Sequence, residues 1–502
     1  MENLDNLKIT FAKNLDKINF NATISMPIDT NVNIKTILDV NSYLYDESVE
    51  CGNGKAVLSG KIGMKVVYID TDNITNTIAN SQNFNETFLD NAITNDCYIN
   101  VANSSLTNNI LSSDGTLKIN CDVNISPIMY VNISANSNIS NLDNMIVKKS
   151  EVSTTTISNI IDKKITYTTN FETKDSVSKI LEHNAYFSPI SILSQSGMAV
   201  VEGKLYSNLL FETIRDDEPK VMEIKDCFNA KFNIEIEDLT NDCELDLSIR
   251  IDPSNESIST EIEDDNSIII INNSLRAVGV AVKNITIDIV DDAFSTDYDI
   301  DLNVANRDYF KLNNKEYIKE SISNEIALSN DEIAIDETVS NLNILPEITN
   351  RYIKDNTLYL EGIITSHLIY IDENREMGQK VCEIPFIINT KISMNELYCI
   401  HTEISVEDCK CRVKRGTIIE LEYMLDISIC TYLKESKELV DNITLGKIVD
   451  FSQYDYQIYL TKPNETLWEL AKRIKITPEN LKQCNPTLPD IMLGGEKVII
   501  KR

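Results

Sequence analysis

The stretch VLSGKIGMKVVYID, residues 57–70, recurs with changes as VVEGKLYSNLLFET at 200–213 and YLEGIITSHLIYID at 359–372. Each copy has apolar residues before a glycine (Gly60, Gly203 or Gly362), followed by alternation into an apolar and aromatic run. Period-two alternation of β-branched and aromatic residues is typical of a half-buried strand. A glycine at the same place in each copy predicts a bulge or a close backbone contact there.

The similarity extends to both sides of these stretches. Upstream, ILDVNSYLY (37–45) and ILEHNAYFS (180–188) both begin 23 residues before their glycine. Downstream, each copy closes with one more strand pattern: TLKINCDVNI, SLRAVGVAV or IIELEYMLDISI. Short strands at this spacing indicate a mainly β chain, with three tandem antiparallel sandwich-like or barrel-like repeats. We place the repeats at 18–135, 165–285 and 325–440, joined by polar connections at 150–164 and 308–323.

Composition narrows the classes of function. The 502 residues include 78 Asp and Glu against 46 Lys and Arg, a formal charge of -32. An acidic surface repels nucleic acid and anionic lipid heads, so we expect neither as a partner. No stretch approaches the roughly 18 apolar residues of a membrane-spanning helix, and the N-terminus lacks a signal-peptide pattern. Eleven cysteines without a CxxC pair favour reduced thiols in a cytoplasm.

The pattern changes after residue 450. YQIYLT (456–461) predicts a strand, and the apolar residues that follow recur at helical spacing around Trp468, the only tryptophan. Thr477 and Pro478 have the character of an N-cap and a first helical residue, so a second helix follows. Gly494 and Gly495 then lead into a closing strand, EKVIIK. The predicted order for a domain at 454–502 is βααβ.

This C-terminal sequence resembles the LysM family. It keeps Thr466, Leu467 and Trp468 of the first motif, and Leu481, Asn485, Pro486, Ile491 and Gly494 further on. It departs at Asn464 and Glu465, where the family favours Gly-Asp, and at Leu493, where it favours proline. LysM grooves commonly accept N-acetyl sugars, so the resemblance implies either a glycan or a protein ligand.

The repeats resemble the SPOCS domain. Three such repeats before one LysM domain resemble the layout of the SipL-type family of clostridial spore coat morphogenetic proteins. That resemblance implies a non-catalytic scaffold in the mother-cell cytoplasm, at the forespore surface. It also implies that the LysM domain binds the coat-basement ATPase, stage IV sporulation protein A, and that other coat proteins are partners.

The predicted site follows from the LysM pattern. We expect Leu467, Trp468, Leu470 and Leu481 to form the core of the domain, because apolar residues recur there at helical spacing and a tryptophan buries a large apolar area in a small module. The alternative for Trp468 is a place on a binding face. Lys472, Arg473, Lys475 and Lys482 form a basic cluster suited to an acidic partner. The predicted partner-binding residues lie in two loops and this cluster: Asn464, Glu465, Thr466, Lys472, Arg473, Asn485, Ile491 and Met492.

No catalytic or cofactor-binding motif is recognisable, so we predict no enzyme activity and no cofactor. The one metal hypothesis is a zinc site in which Cys399, His401, Cys409 and Cys411 face each other across a hairpin at Ser405. The other two repeats continue as strands through the corresponding turn and lack these ligands, so we favour no metal and scattered buried thiols. Two other hypotheses are a peptidoglycan-binding wall protein and an enzyme hidden in one repeat.

Overall fold

The computed structural model describes residues 8–27, 33–101, 104–112, 116–134, 145–215, 218–263, 266–329, 332–391, 397–449 and 456–501. These form antiparallel sheets and a small C-terminal module with two strands and two α-helices, so the predicted fold class is confirmed. No helix in these ranges is long and apolar enough to cross a membrane. Residues 135, 454, 455 and 502, at the ends of two predicted domain ranges, lie outside the described residues.

The first β unit consists of nine strands. Their bounds are β1 Lys8–Asn14, β2 Ile18–Pro27, β3 Ile34–Gly52, β4 Lys55–Asp70, β5 Thr75–Leu89, β6 Cys97–Asn100, β7 Ser104–Ser112, β8 Thr116–Ile125 and β9 Ile128–Ser134. One sheet has the order β3-β4-β5, and a second has the order β2-β8-β7. Strands β1, β9 and β6 continue the second sheet after a break at Pro127, which has no N–H to donate to a ladder.

The second and third β units repeat this order with fewer, longer strands. The second unit contains β10 Met145–Thr173, β11 Val177–Gln195, β12 Met198–Arg215, β13 Glu218–Glu235, β14 Glu244–Ile251, β15 Ser257–Glu263 and β16 Asn266–Ser295. The third contains β17 Tyr298–Ala327, β18 Ile335–Lys354, β19 Thr357–Asp372, β20 Met377–Lys391, β21 Leu397–Lys414 and β22 Ile418–Ile448. Their sheets are β11-β12-β13 with β10-β16-β14, and β18-β19-β20 with β17-β22-β21.

Each unit is a sandwich of its two sheets around its own apolar core. Alternation decides which side chains enter it: β8, TLKINCDVNI, buries every second residue. The three repeated stretches are β4, β12 and β19, the central strands of three sheets. Their glycines lie opposite register shifts in the neighbouring strand, and a Cβ added at Gly362 would come within 2.2 Å of the Glu347 carbonyl oxygen. Bulge and close contact therefore occur together.

The prediction that 150–164 and 308–323 are polar connections is wrong. Both segments lie inside strands, β10 and β17, which pair with β16 and β22 along nearly their whole length. In the first segment Thr154 and Thr155 are buried where two units meet: the Thr154 hydroxyl donates to the Phe310 carbonyl (3.0 Å), and the Leu312 amide donates to the Thr155 hydroxyl (2.9 Å). These threonines are buried because hydrogen bonds to another unit satisfy their hydroxyl groups. A search for alternating apolar residues therefore does not detect these parts of the strands.

The three units contact one another cyclically, in a pseudo-threefold arrangement. The first strand of one sheet lies beside the third strand of the next, with contacts from Lys35 to Glu376, Lys179 to the Thr75 carbonyl and Ser340 to Glu223. An apolar cluster that we call the axial cluster contains residues of all three units: Leu38, Val67, Ile69, Leu181, Leu210, Val221, Leu342 and Ile369. The three units therefore pack against one another and form one body, which we call the β body.

A buried polar hub also joins the three units. The Asp246 carboxylate accepts hydrogen bonds from Tyr130 of the first unit (2.8 Å) and from Tyr432 and His401 of the third (3.1 Å each). Burial lowers the pKa of His401, but the attraction and hydrogen bond of Asp246 outweigh it and raise the pKa to about 10. Burial alone would raise the Asp246 pKa, but His401 and the other donors hold it below its usual value. The hub is therefore an ion pair.

The zinc hypothesis is not supported by the strand arrangement. Strand β21 runs without a turn through Ser405, so Cys399 and His401 lie at one end and Cys409 and Cys411 at the other. Burial raises the pKa of Cys399 and of Cys409 to about 12, which favours neutral thiols. In the described ranges no group of three or more His, Cys, Asp or Glu side chains is placed to hold a metal ion.

Candidate functional site in the C-terminal module

The C-terminal module has the predicted βααβ order. Its elements are β23 Tyr456–Leu460, α1 Leu467–Ile474, α2 Pro478–Cys484 and β24 Lys497–Lys501. Thr466 caps α1 and forms a capping box with Glu469, and Thr477 caps α2 with Pro478 at the first helical position. The core is formed by α1, α2 and the inner face of the β23–β24 hairpin, where Val498 and Ile500 are fully buried.

Two of the four predicted core residues, Leu470 and Leu481, are fully buried, and Leu467 and Trp468 are partly buried in the same cluster. Trp468 has a second role that the sequence did not suggest. Its ring packs edge-on against Phe294 of β16 (5.2 Å between centroids), and its Nε1 donates to Asp292 (2.8 Å). Trp468 therefore joins the module to the body.

The predicted basic cluster is not an open basic patch. Lys472 pairs with Asp292, Lys475 with Asp299 (2.9 Å) and Arg473 with Glu465 (2.7 Å). Only Lys482 pairs outward, with the exposed Asp490. Lys472 and Lys475 thus hold α1 against β16 and β17. Arg473 stabilises the loop before α1 through its ion pair with Glu465. Helical spacing placed these cations near one another but gave no information on the carboxylates opposite them.

Most of the predicted loop residues hold the module together. Glu465 is only 7% exposed, accepts from Arg473 and the Lys462 amide, and has a pKa lowered chiefly by the Arg473 hydrogen bonds. Met492 is 1% exposed, and its amide donates to the Glu465 carbonyl (2.9 Å). Asn485 binds both backbone groups of Ile499. The sequence predicts that Glu465, Met492 and Asn485 contact a partner. In the structure their side chains are instead buried or hydrogen-bonded within the module.

Asn464 and Ile491 remain accessible. Asn464 has a φ of 60° in the position where the family favours glycine. Asparagine tolerates this left-handed region, so the loop backbone does not require glycine here. Its amide donates to the Met492 carbonyl (2.9 Å), which joins the two loops. Ile491 and Leu493 are exposed at the rim of these loops.

The outer face of the β23–β24 hairpin is the surface that the sequence predictions missed. Directly paired residues share a face, and the pairs here are Tyr456 with Lys501, Ile458 with Ile499 and Leu460 with Lys497. The four apolar side chains are between 50% and 67% exposed. The face carries two lysines and no carboxylate, and no ion pair of either lysine occurs within the described residues. The signal was in the sequence: KVIIK is apolar on both sides of the strand.

We call the six residues Tyr456, Ile458, Leu460, Lys497, Ile499 and Lys501 the hairpin face. Because α1 packs on the inner side of the hairpin and also contacts the body, the hairpin face lies on the side of the module away from α1. The module as a whole, 456–501, has seven basic and five acidic residues in a chain of charge -32. The C-terminal module therefore presents a surface that is both basic and apolar.

Residues 459–493 match the family model described as LysM domain. No curated protein matches the chain, and neither does any solved structure. LysM domains typically bind glycans such as peptidoglycan. The chain thus contains a LysM domain at its C-terminal end, which matches the family model over 35 residues and is docked on a three-unit β body.

Proposed function

We propose that this chain is a non-catalytic scaffold that presents its LysM domain to a protein partner. The observation that carries the proposal is the hairpin face, where four exposed apolar side chains lie between two lysines without an acidic neighbour on that face. Contiguous exposed apolar side chains with a charged rim are characteristic of protein interaction surfaces. The contacts of α1 with β16 and β17 support the idea that the LysM domain is held in one orientation for this purpose.

The finer proposal uses the resemblance of the repeats and LysM domain to SipL-type spore coat morphogenetic proteins. On this proposal the three β units are SPOCS-like repeats, the chain acts in sporulation and spore coat assembly, and it lies in the mother-cell cytoplasm at the forespore surface. The partner is the coat-basement ATPase, stage IV sporulation protein A, with other coat proteins binding elsewhere. Two lysines on the hairpin face favour a partner surface with an acidic rim.

The test is capture of purified stage IV sporulation protein A by the full chain. We expect Ile458→Asp to abolish capture, since it places a charge in the apolar centre, and the pair Lys497→Glu and Lys501→Glu to weaken it. Leu493→Asp is the matched control, because Leu493 is equally apolar and 87% exposed but lies on the loop rim. Capture by the parent chain should weaken with added salt, which screens exposed charges.

Peptidoglycan binding is the second candidate, favoured by the LysM match itself. Its surface would be the loop rim, with Asn464, Ile491 and Leu493, since LysM grooves lie between these loops. Sedimentation with purified sacculi separates the two functions. If the chain pellets with sacculi, loses this with Leu493→Asp and captures no ATPase, the scaffold proposal is wrong.

A further inference from the structure

A large cavity lies where the three β units meet. Its volume is about 1150 Å³, and its walls come from all three units, including β3, β11, β12, β18 and β21. Cavities that hold small ligands usually occupy 300–1000 Å³, so this one is large enough for an oligosaccharide-sized molecule. It lies in the body and is separate from the LysM domain, because no residue of 456–501 lines it.

The pseudo-threefold arrangement is broken beside this cavity. Five residues after the repeated glycine, the first unit has Lys65, the second Asn208 and the third His367. Lys65 pairs with Glu182 of the second unit (3.1 Å), and His367 pairs with Asp39 of the first (2.9 Å). Asn208 forms no such pair. At this position Lys65 and His367 each contact a carboxylate of a neighbouring unit, and Asn208 does not. The junction between the second and third units therefore lacks this contact.

At that junction several neutral polar groups have unmet hydrogen-bonding capacity. Asn184 and Asn208 lie opposite each other on β11 and β12, as do Tyr186 and Tyr206. The Asn184 amide nitrogen, the Tyr186 hydroxyl and the amide oxygens of Asn208 and Asn341 are buried with no hydrogen-bond partner. All of these residues line the cavity. Leaving such groups unpaired is unfavourable, so a ligand that pairs them would be stabilised.

Several ionisable side chains of the same wall already have partners within the chain. His183 bonds to Glu256 and to Ser207 (2.6 Å), and Glu407 binds Lys319 (2.6 Å) and the Tyr206 hydroxyl. Lys225 pairs with Glu223 (3.0 Å). The unmet groups are the neutral ones above and one carboxylate oxygen, Glu403 Oε1, which lies 3.4 Å from His401 Nε2 without a hydrogen bond. Together they include both donors and acceptors. Hydroxyl groups can satisfy either kind, whereas a charged ligand group beside these neutral atoms would be buried without a counter-charge.

We propose that the cavity binds an uncharged, hydroxyl-rich ligand of the saccharide class, on the wall formed by Asn184, Tyr186, Asn208 and Asn341. The stacked rings of Tyr186 and Tyr206 (4.8 Å between centroids, 4° between planes) add a flat aromatic surface beside these amides. This tyrosine pair occurs in the second unit alone, because Gly63 and Thr365 stand in the other units where Tyr206 stands in this one.

The test is ligand-observed NMR on the full chain, with maltotriose, cellobiose and N,N′-diacetylchitobiose as probes at millimolar concentration. We expect at least one probe to bind, and Tyr186→Phe and Asn208→Leu each to weaken it by about tenfold, the effect of one lost hydrogen bond. Matched controls are Tyr98→Phe and Asn108→Leu. They also remove buried polar atoms without partners, but neither residue lines the cavity.

The LysM domain could itself bind one of these probes, and the single tryptophan separates the two sites. Trp468 lies in the LysM domain, so cavity binding should leave its fluorescence unchanged. No binding of any probe, or equal losses in the control variants, would overturn the proposal. So would binding that changes Trp468 fluorescence and persists in both cavity variants.

Discussion

At the scale of single residues, Asp246 shows how one carboxylate can set the geometry of a large body. It is 3% exposed and receives hydrogen bonds from side chains of two other units, so each unit is needed to satisfy it. Removing one member of a buried pair leaves an uncompensated charge and typically costs about 3–5 kcal/mol. The three units are therefore expected to dock in the one arrangement that pairs Asp246 with Tyr130, Tyr432 and His401.

The hub predicts a pH-dependent stability. The folded pKa of His401 is about 10, above its unfolded value of about 6.5. Its contribution is complete below pH ~6.5 and is lost as the pH rises toward 10. The lowered pKa of Asp246 gives a contribution that is present above pH ~3.9 and lost in stronger acid. We expect the urea midpoint to fall between pH 6.5 and 10 and this fall to shrink in His401→Gln. An unchanged slope in that variant would remove His401 as the cause.

Trp468 gives a second prediction for single residues. Because its ring contacts Phe294 of β16, Trp468→Ala and Phe294→Ala should not be additive. We expect a coupling of about 0.5–1.5 kcal/mol in the opening of α1, measured by native-state hydrogen exchange. Pairing Trp468→Ala with Phe386→Ala, in the core of the third unit, is the control and should show no coupling. Additivity with Phe294 would mean that the module is not docked as described.

At the scale of elements, the repeated glycines fix where neighbouring strands approach. At Gly362 an added Cβ would lie 2.2 Å from the Glu347 carbonyl oxygen and 2.3 Å from the Phe386 ring. The backbone oxygen cannot move without disturbing the β18–β19 ladder. A methyl group at this position therefore acts by overpacking and not by backbone strain.

We expect Gly362→Ala to lower the free energy of unfolding by about 1–3 kcal/mol, in the range of overpacked cores. Gly52→Ala is the control, since its Cβ would meet only Lys55 atoms at 3.9 Å. Urea denaturation of both variants measures the difference. Equal midpoints for the two would show that β18 moves aside at little cost.

At the scale of the whole molecule, the axial cluster makes the three units depend on one another. Leu210 of the second unit is fully buried there among leucines, valines and isoleucines that come from all three units. We expect Leu210→Ala, which should cost about 2–5 kcal/mol, to raise hydrogen exchange in β4 and β19 as well as in β12. Leu360→Ala, in the core of the third unit, should raise exchange mainly in that unit. Exchange confined to β12 after Leu210→Ala would show that the units open independently.

Much of the local structure could be predicted from the sequence. Alternation in β4, β12 and β19 predicted their strands, and the change of period after residue 450 predicted the βααβ module with its two caps. These features depend on contacts between residues near in sequence, which local patterns record. The same patterns did not predict the strand at 150–164, where Thr154 and Thr155 are buried and form hydrogen bonds with another unit.

The candidate site was predicted less well than the fold. The sequence located the LysM domain but assigned Lys472, Arg473 and Glu465 to a partner, whereas the structure pairs them within the chain. Which cation is satisfied depends on carboxylates such as Asp292, 180 residues away along the chain. The sequence did show that the last strand is apolar on both faces, because Ile499 lies between Val498 and Ile500. The sequence of one strand does not show which of its two faces is covered by the rest of the protein.

By itself, then, the sequence determined the β class, the repeated central strands with their glycines, and the LysM domain, because each is encoded in residues close together along the chain. Tertiary structure alone decided the cyclic contact of the three units, the Asp246 hub, the broken junction at Asn208 and the face of the LysM domain left open. These depend on pairs separated by more than a hundred residues. The free energy of such contacts comes from burial and from matching of polar groups, which no local pattern of one sequence records.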